Sequence, residues 1–72
     1  MSKEEKLAFL EEIMDLDEGD LNEESVLANI EEWDSLSVLT FISEMKKKFD
    51  IAVSPQQIKE FVTVSDICRL IP

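Results

Sequence analysis

The sequence predicts an all-α fold, a bundle of four helices in which three are main elements and one is short. Three observations support this. Apolar residues make up 44% of the 72, enough to drive a compact core rather than a disordered chain. With one Gly and two Pro, turn residues are too scarce for a many-stranded β sandwich. One Cys and no His leave neither a disulfide nor a zinc cluster, and a chain this small must then be held by well-packed helices. No repeat or low-complexity stretch interrupts residues 1–72, which read as a single domain.

The elements follow in order. Ser2-Lys3-Glu4-Glu5 has the spacing of a capping box. Leu7, Leu10, Ile13 and Met14 then share one face, with Glu4, Glu11, Glu12 and Asp15 directed away, so a helix is expected over 3–15. Residues 16–34 form a long link around Gly19, anchored by Leu21, Val26, Leu27 and Ile30, with a helical turn expected within 23–29. Links of this length in a small domain are self-packed or functional. A second helix starts at Asp34, a good N-cap for the N–H of Leu36 or Ser37, and runs to Phe49. Trp33 and Val38 have the spacing of a hydrophobic staple. Val38, Phe41, Ile42, Met45 and Phe49 form its apolar face, while Leu36 falls opposite with Thr40, Ser43 and Lys47. Asp50 to Val53 is an apolar connector without a strand partner. Ser54-Pro55-Gln56-Gln57 opens a short helix over 55–60. Thr63-Val64-Ser65-Asp66 repeats the capping pattern with a weaker Asp, opening a last helix over 64–71 that buries Val64, Ile67, Cys68 and Ile71.

Charge narrows the function. The net charge is −10, with 13 acids and 2 bases in residues 1–34 against 4 acids and 5 bases in residues 35–72. An acidic surface repels phosphate, so a nucleic-acid partner is not expected. An acidic face usually serves solubility; the sharper reading is attraction of basic partners. The absence of His removes the usual general base and the common nucleophile systems, so an enzyme is not expected. No run approaches the roughly 18 apolar residues of a membrane span. The opening Met-Ser-Lys-Glu-Glu lacks the apolar stretch of a signal peptide, which points to the cytoplasm.

Three motifs merit weighing. Asp15 to Asp20 resembles a calcium loop in composition only, because an EF-hand needs Gly at its sixth position and Glu at its twelfth. Counted from Asp15, Gly19 is fifth and Val26 twelfth, so a solvated acidic loop is the better reading and no metal site is expected. Cys68 lies on an apolar face with only Arg69 nearby to activate it, which favours a buried structural thiol. Trp33-Asp34-Ser35-Leu36 carries the functional case. The bland reading makes Asp34 a cap and Ser35 an ordinary first-turn residue. Yet Ser35 is not needed as a cap, and its hydroxyl stands where free N–H groups and the positive helix end favour an attached anion.

The order of parts over about residues 3–71 resembles the acyl carrier protein family. Asp34-Ser35-Leu36 opens the second helix after an acidic first helix and a long loop. Lys48-Phe49-Asp50-Ile51 closes that helix, and Val53-Ser54-Pro55 and Thr63-Val64-Ser65-Asp66-Ile67 complete the frame. The resemblance implies that Ser35 receives 4′-phosphopantetheine from coenzyme A through a phosphopantetheinyl transferase, and that Asp34 fixes the helix start. The thiol of that arm would hold acyl groups as thioesters, presented by a monomer to acyl-loading and acyl-transferring enzymes of lipid, fatty-acid or specialised acyl metabolism. Leu36, Thr40 and Glu44 are the expected partner contacts, and Val38, Ile42, Met45, Phe61 and Ile67 the expected shelter for an acyl chain. Two features depart from the family pattern. Many members have Gly where this chain has Glu32. Carriers of central fatty-acid synthesis present acids at positions matching Ser37, Thr40, Lys46 and Lys47, which points away from that partner set. An aminoacyl or D-alanyl carrier, a polyketide or nonribosomal carrier, and a non-carrier acidic interaction module are the alternatives.

Overall fold

The computed structural model describes residues 1–72. It contains α1 (Lys3–Met14), a 3-10 turn (Leu27–Asn29), α2 (Ser35–Phe49), α3 (Pro55–Glu60) and α4 (Val64–Leu70). No helix is long and apolar enough to cross a membrane.

Local chemistry sets most of these boundaries. Ser2 and Glu5 close the capping box of α1, the Ser2 hydroxyl accepting the Glu5 N–H at 3.2 Å and Glu5 Oε1 accepting the Ser2 N–H at 2.9 Å. Ser54 and Gln57 repeat the device at α3. α1 and α2 both end on an aspartate in the left-handed region, Asp15 at φ 58° and Asp50 at φ 57°. There the N–H groups past the helix turn back to its last carbonyls, Leu16 to Glu11 and Ile51 to Met45, which satisfies acceptors the helix leaves free. At α4 the Asp66 carboxylate accepts from two backbone N–H groups, Val62 at 2.8 Å and Thr63 at 3.1 Å. The aspartate expected to be a weak cap is thus a double one.

The core forms where α1 packs against α2 and α4. Leu10, Phe41, Met45, Val64, Ile67 and Ile71 are its fully enclosed side chains. Phe9 of α1 meets Phe49 of α2 edge to face, with ring centres 6.1 Å apart. α4 buries its expected face, Cys68 included, whereas on α2 Phe41 and Met45 are buried and Val38, Ile42 and Phe49 are half-buried. The first helix differs. Phe9 and Glu11 are buried, although Phe9 lies outside the expected stripe and Glu11 was expected to face water.

The cause is the link, which folds back over α1. Glu11 Oε2 accepts the N–H groups of Gly19 at 2.9 Å and Leu21 at 3.0 Å, so its burial is compensated by two charge-assisted bonds. Leu21 and Leu27 are buried as expected, but the Val26 side chain is largely exposed. At Val26 the backbone is the anchor, in an isolated antiparallel bridge with Thr63. Leu27 N–H donates to the Val62 carbonyl at 2.9 Å, Val64 N–H to Ser25 at 3.0 Å and Ser65 N–H to Glu23 at 2.9 Å. The long link is therefore fastened at one end to α1 and at the other to the entry of α4, and it delivers the chain in a defined direction to the start of α2.

Candidate functional site

The start of α2 is built from consecutive residues with separate tasks. Asp34 is the cap, its Oδ1 accepting the Ser37 N–H at 3.0 Å. The Ser37 hydroxyl donates to the Glu32 carbonyl, which ties the last residues of the link to the first turn of the helix. This side chain is buried, so Ser37 is a strut of the helix start and not an exposed docking position as the family comparison of positions suggested. Trp33 packs edge to face on Phe41, with ring centres 5.9 Å apart. Its main aromatic contact is thus one turn beyond the Val38 expected from staple spacing, and the indole closes the core beneath the site.

Ser35, the first residue of α2, is exposed. The N–H groups of Ser35 and Leu36 have no acceptor in the chain. A hydroxyl beside two free donors at a helix N-terminus can carry a phosphodiester with little electrostatic cost. Ser35 also opens onto a groove between α2 and α3 of about 590 Å³. Val38, Leu39 and Ile42 form one wall, Pro55 and Ile58 the other, and Trp33, Asp34 and Lys59 complete the rim. Of the five side chains expected to shelter an acyl chain, Val38 and Ile42 line this groove. Met45 and Ile67 are sealed in the core at 0% exposure, and Phe61 packs against that core. Met45, Phe61 and Ile67 are not among the groove's lining residues, and its second wall comes from α3.

The expected partner contacts separate into two places. Leu36 is 73% exposed and stands beside Ser35. Leu39, which the sequence analysis did not single out, is 64% exposed and extends the apolar patch. Its position three residues after Leu36 is the signal, since such residues are neighbours on a helix surface. Thr40 is exposed and its hydroxyl donates back to the Leu36 carbonyl at 2.9 Å. Glu44 lies apart from Leu36, lining a small hollow together with Thr40 and with Phe9 and Ile13 of α1 and pairing with Lys47 at 3.7 Å.

Other candidates resolve simply. Cys68 is buried, and burial, reinforced by Glu23 and opposed by Lys6, pushes its thiol pKa up, the reverse of an activated nucleophile. In the acidic stretch, Asp20 accepts the Asp17 N–H at 3.0 Å, so the loop makes its own turn. No group of three or more Cys, Asp or Glu is arranged to hold a metal ion.

Comparison with known proteins agrees with this geometry. Residues 7–71 match the family model described as the phosphopantetheine attachment site. Among solved structures, the chain is similar to a protein from Mycobacterium tuberculosis provisionally described as an acyl carrier protein. The two share 30% identity and superpose with a TM-score of 0.75, over 93% of this chain and 89% of the other. A search of curated proteins found no match. Members of the matched family bear 4′-phosphopantetheine covalently after modification by a phosphopantetheinyl transferase, and they carry substrates without catalysing reactions themselves. With the helix start, the order of elements and the family model in agreement over nearly the whole chain, this protein belongs to the phosphopantetheine-binding carrier proteins.

Proposed function

We propose that the protein is an acyl carrier whose phosphopantetheine arm is attached to Ser35 Oγ, and that it serves a dedicated acyl pathway rather than central fatty-acid synthesis. One observation supports the carrier assignment above the rest: the exposed Ser35 stands beside two free N–H groups and opens onto an apolar groove. The donors suit the phosphodiester, and the groove suits a pantetheine arm or the first carbons of an acyl group. Asp34 holds the helix start, and Leu36 with Leu39 offers the transferase and later enzymes an apolar contact. The whole of residues 1–72 acts as one carrier unit, a monomer working in the cytoplasm.

The pathway reading rests on charge. Lys46 and Lys47 are exposed on α2, where central fatty-acid carriers present acids. A partner with a basic docking face would meet like charge there, and such juxtaposition weakens association.

The test is mass spectrometry of the protein incubated with coenzyme A and a broad-specificity phosphopantetheinyl transferase. A gain of one arm, mapped to Ser35 and lost in Ser35→Ala, is expected. Attachment retained in Ser35→Ala would move the site elsewhere. Subsequent loading with fatty acyl, aminoacyl and malonyl donors would then assign the cargo.

A further inference from the structure

The chain has seven basic side chains, and six have a partner within it. Lys3 pairs with Glu23, Lys46 with Asp50, Lys47 with Glu44 and Arg69 with Asp66. Lys6 donates to the Cys68 carbonyl, and Lys48 lies 5.1 Å above the Phe9 ring. Lys59 has no such partner, in a molecule with 17 acids available. It is also the basic residue that lines the groove with Ser35. An unpaired cation facing the site where an anion is to be attached is electrostatic complementarity without an occupant.

We propose that Lys59 binds the phosphodiester of the arm from across the groove, so that the phosphate sits between the free N–H groups at the start of α2 and the ammonium of α3. This rests on the reading of Ser35 as the attachment point. The phosphodiester keeps one negative charge and its non-bridging oxygens accept hydrogen bonds. Its link to Ser35 holds it beside the groove, and the flexible lysine stem can follow it. Engaged in this way, the phosphate directs the pantetheine along the wall formed by Val38, Ile42 and Ile58 rather than out into solvent. Lys59 also lies in the last turn of α3, where a cation favours the helix dipole. That role is the same with and without the arm, which separates the two experimentally.

The experiment compares the apo and arm-bearing forms of the wild type, Lys59→Ala and Lys59→Arg by amide and phosphorus NMR, at low and high salt. In the wild type, attachment should shift the amide signals of Ile58 and Lys59 as well as those of Ser35 and Leu36. The α3 shifts should shrink at high salt, because an exposed ion pair is screened. They should disappear in Lys59→Ala and persist in Lys59→Arg, with the phosphorus signal moving in parallel. An arm mapped to Ser35 with α3 unmoved, or moved equally in Lys59→Ala, overturns the phosphate contact alone. An arm mapped to another residue, or none attached, overturns the attachment reading and the contact with it.

Discussion

Glu11 and Leu21 are joined by a buried hydrogen bond, the carboxylate on α1 accepting the Leu21 N–H at 3.0 Å. The same oxygen accepts from Gly19, whose φ of +92° places it in the region that favours glycine. This carboxylate is the clasp that closes the long link over α1. Glu11→Ala would leave the Leu21 N–H buried and unpaired, at a cost of about 1–3 kcal/mol. Glu11→Gln keeps an acceptor oxygen and should cost less. Urea unfolding of the two variants beside the wild type measures the order; equal losses would show that the negative charge, and not an acceptor of the same shape, closes the clasp.

The start of α2 separates stability from modification. Ser35→Ala should leave the helix intact, since Asp34 remains the cap and alanine suits a first-turn position, yet it should abolish arm attachment. Asp34→Ala should lower stability by about 1 kcal/mol, the usual cost of a lost N-cap. Circular dichroism melts with a labelling assay check both, and a Ser35→Ala variant that loses helicity would mean that the serine is structural.

Stability should climb with salt at neutral pH. Residues 1–34 hold 13 acids and the recorded ion pair from this segment is the long one between Lys3 and Glu23 at 3.8 Å, so screening relieves repulsion. A melting temperature that falls from low to moderate salt would show local pairs to dominate.

Acid should weaken the fold, because two caps fail as the pH falls. The Ser2 N–H and hydroxyl hold Glu5 below its usual 4.5, and the N–H groups of Val62 and Thr63 hold Asp66 below its usual 3.8. A folded pKa beneath the unfolded one gives stability that is present above the unfolded value and is lost as pH falls through the folded value. The melting temperature should therefore decline below about pH 4; a melting temperature that holds or rises there would exclude the cap contribution.

The double variant Lys46→Glu, Lys47→Glu tests partner choice. Both side chains are mostly exposed in their pairs with Asp50 and Glu44, so reversal should change stability by only about 0–1 kcal/mol. Offered to a ketoacyl synthase or malonyl transferase of central fatty-acid synthesis, its arm-bearing form should be loaded faster than the wild type, with the gap narrowing in high salt. Equal loading at low salt would remove the charge argument for a dedicated pathway.

The helices, their caps and the place of Ser35 were legible in the sequence because each depends on residues within a turn or two of one another. Ser2 with Glu5, Asp34 with Ser37 and Ser54 with Gln57 are three-residue relationships, and the apolar faces of α2 and α4 repeat at the helical period. Tertiary structure decided what depends on distant segments. Periodicity placed Glu11 on the wet side of α1 because the partner that dries it, the N–H of Leu21, belongs to a loop with no period of its own. Ser37 became a strut because the Glu32 carbonyl lies above it. The groove and its Lys59 rim exist because Pro55, Ile58 and Lys59 of α3 come together with Val38, Leu39 and Ile42 of α2. Such pairings are set by how the backbone of one segment meets the side chains of another, and a linear pattern does not encode that meeting.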